Sequence, residues 1–190
     1  MDNKILLEKD GVKFIKKSDN TFNISFSLEN NLDVRPLINL NLIKLLHDLN
    51  PDLFESYSAV DINANERHIC ILFKDLFADL GIPQYYYSFA FIINQESTAE
   101  NMMNNTINFI ISLKNEQNNA ITDALTDATC APLTHCEFAC TIINNTIGQF
   151  NITAQVSNDE LFNSLIFEKM VAMVLYKVIN RLKQFISTIT

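Results

Sequence analysis

Tryptophan is absent from the chain, and glycine is scarce, with only 3 copies in 190 residues. Those glycines, Gly11, Gly81 and Gly148, stand far apart. Loops that hold the phosphates of a nucleotide need closely spaced glycines, because the backbone must approach the ligand. The sequence therefore argues against P-loop enzymes and against dinucleotide-binding Rossmann domains.

Positive charge is also in short supply. The chain has 14 Lys and Arg against 22 Asp and Glu, which gives a formal net charge of -8. Phosphate backbones and anionic membranes both attract clustered Lys and Arg, so we expect neither nucleic acid nor a membrane as a partner. Signal-peptide and membrane-spanning patterns are absent. We therefore expect a cytoplasmic protein with reduced cysteines.

Apolar residues are plentiful, at 48% of the chain with 14 Phe. This content excludes general disorder, because such a chain buries enough apolar surface to offset the entropy of folding. A chain of 190 residues is also long enough for a normal core. We expect a single domain over residues 1–190.

The last third of the sequence carries the clearest structural pattern. Apolar and polar residues alternate over 136–142 and again over 150–156, and an Asn- and Gly-containing break separates the two runs. This pattern predicts a β-hairpin. Ser157 and Glu160 then form a capping box, which predicts that a long helix begins there and runs almost to the C-terminus.

Similar patterns predict the rest of the fold. Strands are expected at 12–15 and 22–28, which form a first hairpin, and at 85–93. Helices are expected at 34–49, 65–80, 102–114 and 118–128, the third of them after a second capping box at Ser97 and Glu100. For 107–113 a strand is the open alternative. The predicted fold class is α+β: a mainly antiparallel sheet of about five strands, with several helices and the long C-terminal helix packed on it.

Two of these strands share a short pattern, FNIS at 22–25 and FNIT at 150–153. One interpretation is a degenerate duplication of a strand–strand–helix unit. The alternative is coincidence, since Phe, Asn and Ile are all common in this chain.

Four potential metal ligands lie close together in sequence: Cys130, His135, Cys136 and Cys140. Their spacing matches no common zinc motif, and strand alternation points Cys136 and Cys140 into the core. A Cys nucleophile needs a base within hydrogen-bond distance, whereas His135 and Cys136 face opposite sides of a strand. We expect no catalytic, cofactor or metal site, although the question of metal binding by these four residues stays open.

Paired carboxylates at Asp75 and Asp79, and at Asp123 and Asp127, have the spacing of one helix face. Such pairs can bind a cation, but the pattern around them is more typical of a solvated surface. Tyr85–Tyr87 can stack on bases or sugars, yet no Lys or Arg flanks this run. None of these groups indicates a reaction.

The leading functional hypothesis is a non-catalytic protein-binding module of the chaperone, adaptor or immunity type. Its expected partner is another protein or a second copy of the chain. The first alternative is a structural component of a viral or other large particle, suggested by a composition rich in Asn and Ile that is typical of an AT-rich genome. The second alternative is a small enzyme that uses Cys136 or the carboxylates.

Overall fold

A computed structural model describes residues 3–18, 20–30, 33–76, 78–96, 106–115, 127–157 and 164–189. Within them the chain forms ten strands, two α-helices and two short 3-10 turns, at Arg35–Leu37 and Ala78–Leu80. The helices are α1 (Leu42–Leu49) and α2 (Leu165–Thr188). The strands are β1 (Lys4–Lys9), β2 (Val12–Ser18), β3 (Thr21–Glu29), β4 (Phe54–Asn63), β5 (Glu66–Phe73), β6 (Tyr85–Glu96), β7 (Thr106–Asn115), β8 (Thr129–Cys130), β9 (Leu133–Ile143) and β10 (Ile147–Val156).

The strands form one sheet in the order β1-β2-β3-β10-β9-β7-β6-β5-β4. Neighbours in this order are antiparallel, while the two-residue strand β8 pairs with β6 in parallel. The pairing of β3 with β10 joins the first three strands to the rest of the sheet. The predicted hairpins of β2 with β3 and of β9 with β10 are confirmed.

One face of the sheet packs against α2. On β3 the alternating residues Phe22, Ile24, Phe26 and Leu28 are buried, as period-two alternation requires. The helix contributes buried residues at helical spacing, among them Ile179, Leu182 and Ile186. Residues of β2 to β7, β9 and β10 line one cavity together with α2. The sheet therefore curves around the helix.

Polar contacts hold α2 at several points along its length. Asn30, just after β3, donates from Nδ2 to the Ile186 carbonyl at 2.8 Å. Lys183 donates from Nζ to the Asp10 carbonyl, in the β1–β2 turn, at 2.7 Å. On its other side Lys177 and Arg181 of the helix donate hydrogen bonds to the carboxylate of Asp52, which follows α1.

The predicted α+β class of about five strands with several helices is wrong in its proportions. Ten strands form a single large sheet, and α2 is the one long helix of the described residues. For β5 the error arose because a strand buried on both faces loses the alternation that identifies a strand, whereas β4 is almost wholly exposed and carries too few apolar residues to show it.

Two segments predicted as helices are strands. Residues 65–80 contain β5, in which Ile69, Cys70 and Ile71 are consecutively buried. Of the predicted helix 102–114, residues 106–114 belong to β7, so the strand alternative for 107–113 was correct. In both segments apolar residues on two faces recurred at spacings of three and four, which imitates a helix.

The helix predicted over 34–49 is shorter than expected, because a 3-10 turn at Arg35–Leu37 precedes α1. The C-terminal helix exists, but its described part begins at Leu165 and not just after Ser157. Glu160 of the predicted capping box, the capping pair at Ser97 and Glu100, and residues 118–126 of another predicted helix lie outside the described residues.

Candidate ligand-binding cavity

A cavity of about 340 Å³ lies between the inner face of the sheet and α2. Its walls are almost entirely apolar and come from α1, α2, residues 131–133 and the strands β2 to β7, β9 and β10. Nine of the chain's 14 Phe contribute to it: Phe14, Phe22, Phe26, Phe54, Phe73, Phe89, Phe138, Phe150 and Phe167. The abundance of Phe therefore serves the walls of this space.

Small side chains in the centre of the sheet keep the space open. Across adjacent strands, Phe22 pairs with Ala154, Ala154 with Cys136, and Cys136 with Leu113. All four residues line the cavity. Ala154 and Cys136 thus stand side by side where larger residues would fill the gap between sheet and helix.

The cavity is too large to be a packing imperfection. Protein interiors are packed as densely as organic crystals, with few voids larger than a water molecule. A space of this size lined almost entirely by apolar side chains is the candidate binding site of the fold.

Glu168 is the only charged residue among the described residues that line the cavity. It lies in the first turn of α2, and its side chain is only 2% exposed. Its Oε1 accepts a hydrogen bond from Lys16 Nζ at 2.5 Å. The pair joins the start of α2 to β2, and Lys16 also lies over the Phe22 ring.

Tyr87 also lines the cavity, although its hydroxyl is itself buried. The residue is buried on β6, its ring stacks on Phe89 with the centroids 4.7 Å apart, and its hydroxyl has no hydrogen-bond partner. Burial raises the pKa of this hydroxyl, with smaller contributions from Cys136 and Cys130. Tyr87 therefore stays neutral.

The four potential metal ligands are not brought together. Cys136 lines the cavity, Cys140 is buried elsewhere on β9, and Cys130 lies on β8 beside Tyr86. Burial raises the pKa of the thiols of Cys136 and Cys140 to about 12, which leaves almost no thiolate to act as a nucleophile. Among the described residues, no group of three or more His, Cys, Asp or Glu could hold a metal ion.

The other residue groups noted in the sequence do not come together among the described residues. Asp75 and Asp79 are exposed around a 3-10 turn, so they share no α-helical face. Asp127 is exposed, and Asp123 lies outside the described residues. Of the three tyrosines, only Tyr87 lines the cavity. The sequence patterns did not identify Glu168 as a wall residue, although an acid within an apolar helix is a signal that could have done so.

Comparison with known structures identifies the fold. No protein-family model matches the chain, and no curated protein sequence matches it. The lipid transfer and protein localization domain of human StarD13 (DLC2) matches with a TM-score of 0.65 and 8% identity, over 99% of this chain and 90% of that domain.

Two further human structures have the same fold. STARD10 matches with a TM-score of 0.61 and 8% identity, over 96% of this chain and 71% of its own. StAR-related lipid transfer protein 5 matches with a TM-score of 0.58 and 12% identity, over 96% and 87% respectively. The chain thus has the helix-grip fold, a curved antiparallel sheet around a long C-terminal helix; at these identities the likeness shows the fold alone.

These findings correct the leading functional hypothesis. The predicted protein-binding module, with another protein or a second copy as its partner, is wrong. The fold is that of domains whose names refer to lipid transfer, and the inner face of the sheet surrounds an apolar cavity. No helix in the described part of the chain is long and apolar enough to cross a membrane.

Proposed function

We propose that the protein binds a hydrophobic small molecule, such as a lipid, in the cavity between the sheet and α2. The observation that supports this proposal is the apolar cavity of about 340 Å³. Its volume falls within the range of known ligand sites, about 300–1,000 Å³. The names of the similar domains, which refer to lipid transfer, agree with a lipid as the bound molecule.

The driving force for this binding is the removal of apolar surface from water. Each methylene group that enters such a cavity contributes about 0.8 kcal/mol. The ligand also restores van der Waals contacts that the lining side chains lack when the space is empty. Binding therefore both shields the ligand and stabilises the fold.

A cavity-filling substitution tests the proposal directly. Ala154 lines the cavity, so Ala154→Phe should occupy part of the space and reduce affinity for the neutral fluorescent probe N-phenyl-1-naphthylamine by at least about tenfold. Ala139 on β9 is exposed outside the cavity, and Ala139→Phe is the matched control. Far-UV circular dichroism checks that both variants fold.

Mass spectrometry of solvent extracts from the purified protein identifies any molecule that copurifies. The proposal predicts an apolar species that is retained by wild type and by Ala139→Phe and is depleted in folded Ala154→Phe. Equal probe binding by all three proteins would contradict binding in this cavity.

A further inference from the structure

Three of the described residues that line the cavity have polar or ionisable side chains: Tyr87, Cys136 and Glu168. Both carboxylate oxygens of Glu168 face lysines, with Oε1 at 2.5 Å from Lys16 Nζ and the buried Oε2 at 3.7 Å from Lys4 Nζ. The Tyr87 hydroxyl is itself buried, and the buried thiol of Cys136 is a weak donor and acceptor at most. These side chains therefore give a bound molecule no strong hydrogen-bond partner.

The backbone of the walls is occupied as well. The central strands have a hydrogen-bonded neighbour on each side, since β3 lies between β2 and β10, and β9 lies between β10 and β7. Their N–H and C=O groups bond within the sheet, and those of α2 bond within the helix. The described walls thus present hydrocarbon and aromatic surface to the space between them.

A hydroxyl or carbonyl group that enters such a space loses its water and gains no partner. This loss is much larger in a medium without hydrogen-bonding groups, such as cyclohexane, than in octanol, where partial compensation occurs. A water molecule cannot accompany the group, because a buried water needs about two to four polar partners of its own. The walls therefore discriminate against hydrogen-bonding groups and not only in favour of apolar area.

We propose that the cavity is specific for hydrocarbons, and that it rejects molecules of the same shape with a hydroxyl or carbonyl group in the enclosed part. This inference rests on the proposed function. It narrows the ligand from a hydrophobic molecule in general to one whose enclosed part has no hydrogen-bonding group.

Two compounds of equal size and nearly equal shape test the inference, 2-methylnaphthalene and 2-naphthol. They differ only in a methyl group that replaces a hydroxyl, and both are neutral at pH 7. Each has eleven heavy atoms, which fit within 340 Å³ even at about 30 Å³ for each atom, the volume of a water molecule in the liquid. Their flat rings also suit a wall rich in Phe.

Isothermal titration calorimetry should show that wild type binds 2-methylnaphthalene at least about a hundredfold more tightly than 2-naphthol. A cavity with a partner for the hydroxyl would compensate most of its desolvation, and the ratio would fall to about tenfold. A measured ratio of less than a hundredfold would overturn the inference.

A hydroxyl placed in the wall should relax the discrimination. Val178 is buried in α2 and lines the cavity, and Thr has its shape with a hydroxyl in place of one methyl group. That hydroxyl can donate to the carbonyl one turn earlier and still accept from 2-naphthol. Val178→Thr should therefore reduce the affinity ratio at least about tenfold.

Val60→Thr is the matched control, because Val60 is exposed on β4 and lies outside the cavity. Its affinity ratio should equal that of wild type. Far-UV circular dichroism checks that both variants fold, and a folded Val178→Thr that keeps the full wild-type ratio would overturn the inference.

The outcomes separate this inference from the proposed function. If both compounds bind wild type with a ratio below a hundredfold, the cavity binds ligands without the proposed specificity. If neither binds, but folded Ala154→Phe loses affinity for N-phenyl-1-naphthylamine, the hydrocarbon class is refuted and binding in the cavity stands. If neither binds and Ala154→Phe retains the wild-type affinity for that probe, both proposals are refuted.

Discussion

The rings of Phe26 and Phe150 stack with their centroids 4.8 Å apart and 2° between their planes. The two residues stand directly opposite each other on β3 and β10, and both line the cavity. Stacked aromatic pairs contribute about 0.5–1.5 kcal/mol beyond the burial of their area. The stack therefore strengthens the pairing that joins the first three strands to the rest of the sheet.

A double-mutant cycle on Phe26→Leu and Phe150→Leu should give a coupling energy of about 0.5–1.5 kcal/mol, measured by urea denaturation. Phe150→Leu combined with Phe54→Leu is the control, because Phe54 lies on β4 at the end of the strand order. That pair should be additive within about 0.5 kcal/mol. Coupling as large in the control pair would show that the cavity, and not the stack, links the residues.

Asp52 connects the segment between α1 and β4 to α2. Its carboxylate accepts hydrogen bonds from Arg181 and from Lys177, the latter at 2.5 Å. These bonds, that of Arg181 foremost, hold the pKa of Asp52 well below its usual range. Because the pKa is lower in the folded state, the stabilisation is present above the unfolded pKa of about 3.9 and is lost as the pH falls below it.

Asp52→Asn should therefore lower the free energy of unfolding at pH 7 by up to about 1 kcal/mol, a modest value because the side chain is 44% exposed. Urea denaturation should show a smaller difference from wild type at pH 3 than at pH 7. Asp48→Asn is the control, since Asp48 pairs with Lys44 inside α1, and its effect should not exceed about 0.5 kcal/mol. A larger loss from the control would argue against the contact with α2.

The four cysteines should differ sharply in reactivity. Burial raises the pKa of Cys136 and Cys140 to about 12, and burial with a contribution from Cys130 also raises that of Cys70. Cys130 is only half-buried. With an aromatic disulfide reagent at pH 8, one thiol should react quickly and three only as the protein unfolds.

Cys130→Ser should abolish the fast reaction and leave three slow thiols, and denaturant should expose all three. A fast phase that survives this substitution would contradict the buried positions of Cys70, Cys136 and Cys140.

The sequence predicted the strands that have one solvated face. On β10 the exposed Gln149 and Asn151 alternate with the buried Phe150 and Ile152, which makes the alternation visible. Strand β5 is buried at the consecutive positions Ile69, Cys70 and Ile71, so its period was hidden. The richness of β7 in Ile favours a strand, which was the open alternative to the helix predicted there.

The related patterns at 22–25 and 150–153 belong to neighbouring strands, which face the same interior and the same exterior. Asn23 donates from Nδ2 to Asn151 Oδ1 at 2.6 Å, so the matching polar positions contact each other. A shared environment accounts for the resemblance as readily as duplication does, and duplication stays a prediction.

The cavity could not be predicted from the sequence. The cavity is a region without packed side chains, and it depends on the curvature of the sheet. It also depends on two small residues, Ala154 and Cys136, which become neighbours only when β9 pairs with β10. Each of these residues is ordinary in a strand. Glu168 was likewise visible as an acid within an apolar helix, but its proximity to Lys16, 152 positions earlier in the chain, follows only from the fold.

Gly148 on β10 lies against the aromatic wall of the cavity. A Cβ atom at this position would be 2.9 Å from Cε2 of Phe150 and 3.4 Å from Cδ1 of Ile142. Gly148→Ala therefore requires the Phe150 ring to move from its stack with Phe26, and the cavity offers the space for it. We expect a loss of about 1–3 kcal/mol in stability and weaker probe binding, measured by urea denaturation and by probe fluorescence.

The double variant Gly148→Ala with Phe150→Leu separates the clash from other effects of the added methyl group. Leu has no ring at the site of the clash, so adding Gly148→Ala to a Phe150→Leu background should change both stability and probe binding much less than it does in wild type. If the methyl group has the same effect in both backgrounds, contact with the Phe150 ring is not what requires glycine at this position.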